Sequence, residues 1–470
     1  MIEKDIKKSD SSIVLMKVVM ILEGREEHNK RFLEWNIKYT RGIDRKMENE
    51  RKDIRELAIK HNRLQTLMHY VNKETLIQAH NKQVIGKASG VDKVTKETYE
   101  EHLEENIDNL LMRMKKFSYK PQPVRRTYIP KPGSDKMRPL GIPTYEDKLV
   151  QWCMTQVLNE IYETKFLDCS YGFRPNRNCH MAIREINQRI MINKVNYILD
   201  CDIKGFFDNV NHEWLVKFLE HDIQDKNFIR YIVRFLKSEI IEDLRYYESD
   251  KGTPQGGIIS PILANVYLHY VLDTWFYVIK KKFKGEMYLI RYADDFIVLF
   301  QYENEATAFY KLLVERLAKF GLEIATDKTR ILPFGRFKGK KEDKFTFLGF
   351  DFHNGNTING KYRIHIKSSV KKLKVKRQNL KEWARNNMHN PIEGLMKTLN
   401  RKLEGHYNYY GINGNYGSIK KFFIYAKYTM FRVLNRRSQK RHMKYVDFIR
   451  IWKYYINLPR IKVDLWGWQS

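Results

Sequence analysis

Cysteine is scarce in this chain: four residues in 470. They stand at Cys153, Cys169, Cys179 and Cys201, and no two are separated by only two residues. That spacing excludes a CxxC zinc knuckle or redox centre, and so few cysteines make no disulfide scaffold. A reducing compartment is therefore expected. No stretch supplies the roughly eighteen uninterrupted apolar residues of a membrane span, so no membrane is expected as a partner. The apolar run at residues 13–22 is interrupted by Lys17 and followed by Glu-Gly-Arg-Glu-Glu. It reads as an amphipathic helix and not as a signal peptide, and a cytoplasmic location follows as the expectation. Internal repeats and low-complexity segments are missing too. Acidic residues are the last deficit: 56 Asp and Glu face 86 Lys and Arg, a net charge of +30. Such a surplus excludes an ordinary small-substrate enzyme as the first reading and calls for a polyanion, with nucleic acid foremost.

What is present is enough apolar material for real cores, 43% of residues, over a length that suggests about three domains. Residues 1–60 carry 15 basic and 12 acidic side chains, and residues 41–70 have helical spacing through Leu57, Leu64, Leu67 and Met68. Residues 1–74 are expected to form a helical N-terminal extension. Helices such as residues 99–116 then alternate with short apolar strands, among them residues 197–203 and 287–300. The second is long enough for a hairpin bent at Ala293-Asp294-Asp295. Ser260-Pro261 should open a helix, with Ser260 as N-cap and Pro261 first in the helix. From residue 361 the composition changes. Residues 361–444 hold 22 Lys and Arg against three Glu, with aromatics interleaved. Basic helices of this kind can grip a sugar–phosphate backbone.

Three acids stand out by context. Asp202 ends an apolar strand, and Asp294 and Asp295 occupy the bend of an apolar hairpin. Like charges repel there and strands disfavour Asp. An Asp-Asp bend is often just a solvated turn. Hard oxygen ligands for Mg²⁺ resolve the same conflict. Two such ions about 3.5–4 Å apart activate a hydroxyl and stabilise a leaving pyrophosphate.

Tyr292-Ala293-Asp294-Asp295 resembles the catalytic motif of reverse transcriptases. The stretch from Asp202 to Asp208, Asp-Ile-Lys-Gly-Phe-Phe-Asp, resembles their first metal-binding motif. Residues 252–261, Gly-Thr-Pro-Gln-Gly-Gly-Ile-Ile-Ser-Pro, resemble the motif along template and incoming nucleotide. Tyr128-Ile129-Pro130-Lys131 with the Arg138-Pro139-Leu140-Gly141-Ile142-Pro143 run, and Ser170-Tyr171-Gly172-Phe173-Arg174-Pro175, are similar to the fingers of bacterial group II intron reverse transcriptases. Arg401 to Gly411 resembles the maturase thumb signature. The ordered set points to group II intron-encoded reverse transcriptase/maturases or group II-like relatives.

The resemblance implies an α+β right-hand polymerase: fingers at 75–200, an antiparallel-sheet palm at 201–355, a basic helical thumb (domain X) at 361–444 and a C-terminal tail at 445–470. Asp202, Asp294 and Asp295 would be catalytic. Asp202 and Asp294 would ligate two Mg²⁺ ions, with Mn²⁺ an alternative and the Ile203 carbonyl assisting. Lys131 and Arg138 would clamp the dNTP triphosphate, and Gln255 would contact nucleotide or template. Lys328 matches the lysine proposed to protonate pyrophosphate. Phe207 would be the steric gate against ribose, or Phe206 if the register differs. Phe347-Leu348-Gly349-Phe350 resembles the primer grip. Lys371, Lys372, Lys374, Lys376, Arg377, Arg401 and Lys402 would bind nucleic acid.

Implied partners are RNA template and primer, dNTPs, group II intron RNA and target DNA. With no CxxC pair near the end of the chain, the endonuclease domain of many members is expected to be missing. The alternatives are a domesticated relative serving phage defence or a CRISPR system, an RNA-binding maturase without polymerase activity, and an RNA-dependent RNA polymerase, which usually has Gly before the two Asp.

Overall fold

The computed structural model describes residues 48–130, 137–242, 245–247, 251–253, 256–437 and 442–465. In chain order the elements are α1 (48–60), α2 (Lys73–Lys82), α3 (Lys96–Glu100), α4 (Leu103–Lys115), β1 (Val124–Pro130), β2 (Met137–Ile142), α5 (Tyr145–Glu163) and α6 (Cys179–Ile192). β3 (Tyr197–Cys201), α7 (Phe206–Asn209), α8 (His212–Asp222), α9 (Lys226–Leu236), β4 (Ile240–Glu242) and β5 (Arg245–Tyr247) follow. Then come α10 (Ser260–Leu268), α11 (Thr274–Ile279), β6 (Met287–Tyr292), β7 (Asp295–Phe300) and α12 (Glu303–Lys319). The last are β8 (Arg330–Pro333), β9 (Lys344–Phe347), β10 (Phe350–Asn356), β11 (Tyr362–Ser368), α13 (Val370–Asn386), α14 (Ile392–Tyr410), α15 (Tyr416–Leu434) and α16 (Tyr445–Tyr455).

Two compact units emerge, and they interleave in sequence. The first gathers the chain up to Pro123, Pro143–Thr164 and His221–Arg234. It is helical and buries Leu76, Leu110, Met154 and Phe228 among others. Its deeply buried Asp147 accepts from the Tyr119 hydroxyl, from Thr144 Oγ1 at 2.6 Å and from Gln122 N–H at 3.2 Å. Those three donors offset the cost of removing the carboxylate from water.

The second unit holds Val124–Ile142, Lys165–Glu220 and everything from Phe235 onward. Among the described residues it contains three sheets. One has the order β2-β1-β4-β5, another β11-β10-β9, and the third β6-β7-β3-β8. Every pairing in the third is antiparallel. Its strands β3, β6 and β7 are nearly continuous apolar runs because helices cover them. Ile183, Ile186 and Ile190 of α6 join Ile198, Ile290 and Ile297 in one core, which continues through Phe345, Phe350 and Phe352 to Leu399, Leu403 and Tyr407 of α14.

Several boundaries differ from those expected. The limit at residue 200 falls inside β3, because β3 is hydrogen-bonded between β7 and β8. The short strand β4 lies within the range expected for the palm, yet it extends the β1–β2 sheet through a parallel pairing. The helix expected over 99–116 is two helices separated at Glu101 and His102. α10 begins at Ser260 itself, so Ser260 is inside the helix and not its cap.

Among the described residues, 260–282 form the most apolar long helix, with mean hydropathy 1.2 over its best window and 72% of that window buried. It is a core helix. At His269–Asp273 it widens into a π turn, a deviation that often marks a functional position. The π turn carries Asp273, which meets Arg291 of β6. Arg291 Nε and Nη2 donate to the two Asp273 oxygens at 2.7 and 2.5 Å, and both residues are fully buried. Arg291 Nη1 donates to Asn265 Oδ1 at 2.9 Å and to the Ala293 carbonyl at 3.0 Å.

Breaking one partner of a buried ion pair leaves the other charge stranded. Arg291→Met is therefore expected to lower unfolding stability by about 3–5 kcal/mol, read as a shift in the urea midpoint. A loss below about 1 kcal/mol, the range of a surface pair, would contradict the structure.

Candidate active site

The β6–β7 hairpin closes with Tyr292 paired to Asp295, leaving Ala293 and Asp294 as a two-residue loop. Ala293 has φ 59° and Asp294 is absent from the positive-φ residues, the pattern of a II′ turn, which normally places Gly first. Ala is the smallest residue that can be held there with a Cβ. The clamp described above holds it, through the Arg291 bond to the Ala293 carbonyl. A second support comes from the Ser170–Pro175 segment. Arg291 N–H donates to Cys169 O at 2.7 Å, Tyr171 N–H donates to Arg291 O at 2.8 Å, and Asn265 Nδ2 donates to Gly172 O at 2.7 Å. Gly172 lies so close that a Cβ would sit 2.4 Å from Ala293 N. The glycine is there to let two backbones touch.

Asp202 is one residue beyond β3. Its carbonyl accepts from Ala325 N–H at 2.8 Å, and Lys204 N–H donates to Glu323 O at 2.8 Å. These bonds fix the Asp202–Lys204 backbone against the segment that carries Lys328, whose ammonium donates to the Asp202 carboxylate. That pairing raises the Lys328 pKa above its ordinary value.

Asp202 and Asp295 line one cleft of 640 Å³ together with Asp200, Lys328, the Phe347–Gly349 turn, Lys372, Lys376, Tyr409 and Tyr410. Asp294 is half-buried beside them. Burial raises its carboxyl, the Asp202 charge raises it further, and Arg138 and Arg291 act the other way. Solvent reaches Asp295, yet the walls of the cleft strip away much of its hydration. That desolvation, followed by the charges of Asp294, Asp202 and Asp200, pushes its carboxyl up to about 6. Asp200 is raised by burial and partly relieved by Arg330, its cross-strand neighbour, at 3.6 Å. The four carboxylates thus crowd one floor, with Lys328, Arg330 and Lys372 around them.

Opposite the acids, Phe347 pairs with Phe350, so Leu348 and Gly349 form a two-residue turn with φ 49° and 77°. Leu at positive φ is strained. Tyr409 Oη donates to the Leu348 carbonyl at 2.7 Å and Ser369 N–H to the Gly349 carbonyl at 2.9 Å. These bonds hold the strained turn.

The remaining expected residues are divided. Lys372 and Lys376, one helical turn apart on α13, face the acidic cleft. Lys376 is partly buried over the Tyr410 ring at 4.5 Å, and desolvation lowers its pKa. Lys374 and Arg377 line a different cleft. Lys371 is exposed and lines neither. Arg401 and Lys402 are exposed on α14, with Lys402 over the Trp383 ring at 5.0 Å. Phe206 is buried at 2% exposure against Tyr267, whereas Phe207 is only partly buried. Arg138 is exposed on β2. Lys131 and Gln255 lie outside the described residues. Among the described residues, no three His, Cys, Asp or Glu side chains close on a single point as a ready-made metal site. Asp202 is turned to Lys328 instead.

Sequence reasoning missed Arg291, Asp273, Asn265 and Gly172 as the turn's supports. A signal existed. Arg291 interrupts the apolar run of β6, and Asp273 interrupts the most apolar helix; two opposite charges inside apolar elements imply each other.

Residues 129–352 match the family described as reverse transcriptase (RNA-dependent DNA polymerase). The group II intron-encoded protein LtrA of Lactococcus lactis subsp. cremoris is 42% identical over 200 residues, 43% of this chain and 33% of that protein. Protein YkfC of Escherichia coli K12 is 31% identical over 270 residues, 50% of this chain and 71% of that protein. The chain belongs to the group II intron reverse transcriptase/maturase family. Its α+β architecture is accordingly the right-hand polymerase fold, and the motifs built into the cleft above are those of a reverse transcriptase domain. The match spans about a third of the length of the Lactococcus relative. A solved telomerase structure from Candida albicans, in complex with a fragment of telomeric RNA, aligns with 77% of this chain and 62% of its own at TM-score 0.46 and 15% identity.

An acid whose pKa is raised on folding holds more protons in the native than in the unfolded state between its two pKa values. For Asp295 that window runs from 3.8 to about 6. Stability falls as pH rises through it, and the penalty is complete above the folded value. Asp295→Asn should therefore melt higher than wild type at pH 8, with the gap closing toward pH 4. Equal melting temperatures at pH 8 would contradict the charge crowding.

Proposed function

We propose that the reverse transcriptase/maturase copies RNA into DNA in the cleft of Asp202, Asp294 and Asp295, and that it binds group II intron RNA to assist splicing and mobility into target DNA. The observation that carries the polymerase reading is the crowding of these acids opposite Lys372, Lys376 and the Leu348–Gly349 turn. A primer 3′-oxygen attacks the α-phosphorus of a dNTP, the bond to the bridging oxygen breaks, and pyrophosphate leaves.

The donor set fits divalent metal: hard carboxylate oxygens whose mutual repulsion already raises Asp294 and Asp295. Asp202 and Asp294 would hold two Mg²⁺, or Mn²⁺, with the Ile203 carbonyl assisting, and the ions supply the charge that lowers the hydroxyl pKa and offsets the leaving group. Asp295 adds negative potential beside them. Lys328, released from Asp202, stands ready to give a proton to pyrophosphate. Arg138, close enough to bias Asp294, and Lys131 clamp the triphosphate. Gln255 contacts the nucleotide or template. Phe207 is the gate, because Phe206 is committed to the core. The Leu348–Gly349 turn seats the primer end, and Lys372 and Lys376 reach its phosphates. Four cysteines without disulfides suit work in the cytoplasm.

Primer extension on an RNA template with Mg²⁺ and dNTPs tests the reading. Wild type should synthesise cDNA, and Asp294→Ala should make none while binding RNA as before. Equal loss of binding and synthesis would sink the metal assignment. Phe207→Ala should raise ribonucleotide incorporation at least tenfold relative to dNTPs, a discrimination of about 1.4 kcal/mol; an unchanged sugar preference would refute the gate.

A further inference from the structure

Helix α14 ends at Tyr410, and the last four carbonyls of a helix find no partner within it. Two of them are bound by side chains from elsewhere in the fold. His180, in the first turn of α6, donates from Nε2 to the Tyr409 carbonyl at 2.8 Å. Asn415, only 1% exposed, donates from Nδ2 to the Tyr410 carbonyl at 2.8 Å. The same amide donates to Ser368 Oγ at 2.8 Å, and its Oδ1 accepts from Ser368 N–H at 3.0 Å. The final turn of α14 is therefore fixed both to α6 and to the end of β11.

From this fixed turn the Tyr409 side chain reaches the Leu348–Gly349 loop. Its ring stacks on Phe350, centroids 5.6 Å apart and planes 21° apart. Its hydroxyl donates to the Leu348 carbonyl at 2.7 Å. Burial holds that hydroxyl well above its ordinary pKa, and the nearby Cys179 thiol adds to the shift, so the phenol keeps its proton and remains a donor. Tyr410 acts beside it: a Cβ on Gly349 would stand 3.0 Å from Tyr410 Oη, so the ring closes the space over that residue. Leu348 needs such support. At φ 49° it adopts a conformation that side chains other than glycine rarely take, and strain of this kind persists only where the surroundings enforce it. Leu348, Gly349 and Tyr409 line the same cleft as Asp202 and Asp295, so the loop is one wall of that cleft.

We propose that Tyr409 is a positioning residue for DNA synthesis: its hydroxyl holds the Leu348–Gly349 loop in its strained form, and the loop sets the primer 3′ end against the acids. The inference rests on the reading of that loop as the seat of the primer end. It gives one residue of the 401–411 stretch a task in synthesis that is separable from the grip on RNA. An uncharged phenol whose proton is already given to a carbonyl releases no counterion from a phosphate chain. A small displacement of the primer oxygen is enough to matter, because the rate of an oriented reaction falls steeply when the reacting atoms leave near-attack geometry.

The test uses the full chain and two substitutions. Tyr409→Phe removes one oxygen and leaves the ring on Phe350. Leu348→Asn puts into the loop a residue that tolerates positive φ, so the loop should keep its shape without an outside bond. Wild type, both single variants and the double variant are compared by single-turnover dNTP incorporation on a saturating RNA–DNA template–primer. Rate constant and reacting fraction are read separately, and affinity for the same template–primer is titrated. Tyr409→Phe should slow incorporation about fivefold, the size of one hydrogen bond, with reacting fraction and affinity unchanged. In the Leu348→Asn background the same change should slow it by less than about twofold, because the two sites share one interaction. A Tyr409→Phe rate equal to wild type would overturn the proposal and leave the polymerase reading intact. A smaller reacting fraction at an unchanged rate constant would also overturn it, as the mark of a merely weakened fold. A fall in affinity in step with the rate would place Tyr409 on the binding surface instead. An equal loss in both backgrounds would exclude the route through Leu348. If wild type itself makes no cDNA, the polymerase reading fails and this inference fails with it.

Discussion

The Ala293–Asp294 turn of this protein rests on one buried ion pair. Arg291 and Asp273 are both fully excluded from solvent, and removing two charges from water costs several kcal/mol for each. Coulomb attraction offsets that only when every donor and acceptor is used. Here the guanidinium serves two Asp273 oxygens, the Asn265 amide and the Ala293 carbonyl. The last bond gives the pair its consequence. It ties the π turn of the core helix to the loop that presents Asp294, so the position of the acid is set by groups that cannot relax independently. A hydrophobic pair of the same volume could hold the helix to the sheet, but it could not hold a carbonyl.

Above that support the chemistry is arranged by opposed charge. Asp202, Asp294, Asp295 and Asp200 crowd one floor, and Lys328 and Arg330 answer two of them. Lys372 and Lys376 face the same acids from α13, so opposite charges meet across the cleft of a strongly basic chain. This suits a surface that must accept cations and polyphosphate at one point and a nucleic-acid backbone around it. The strained Leu348 turn and the left-handed Ala293 are maintained by specific bonds from Tyr409 and Arg291. Strain held in this way fits a site whose parts must not shift when substrate arrives.

Much of this was legible in the sequence, for definite reasons. Asp202, Asp294 and Asp295 stood out because carboxylates are costly beside apolar strands, and a hairpin bend at 293–295 followed from the apolar run on either side; the pairing of Tyr292 with Asp295 narrows it to 293–294 and puts Asp295 on β7. The positive charge of residues 361–444 was visible as composition. What escaped was whatever depends on pairing between distant segments. The parallel contact of β4 with β1 and the meeting of Gly172 with Ala293 leave no local trace. The division of the α13 lysines between two clefts depends on side-chain direction around a helix whose partners were unknown. Phe206 and Phe207 could not be separated until helix α7 put Phe206 against Tyr267. Lys131 and Gln255 lie outside the described residues, so their places rest on the motif alone.

The central claim is that the Arg291 clamp places Asp294, the acid proposed for catalysis, beyond stabilising the fold. The Arg291→Met, Asp273→Leu double variant separates the two. Replacing both partners by apolar groups of similar volume can restore stability, while the bond to the Ala293 carbonyl stays lost. Single-turnover dNTP incorporation on a saturating template–primer is the direct measurement. The account predicts a double variant that melts near wild type yet incorporates at least tenfold more slowly. Incorporation at the wild-type rate in a stably folded double variant would contradict it.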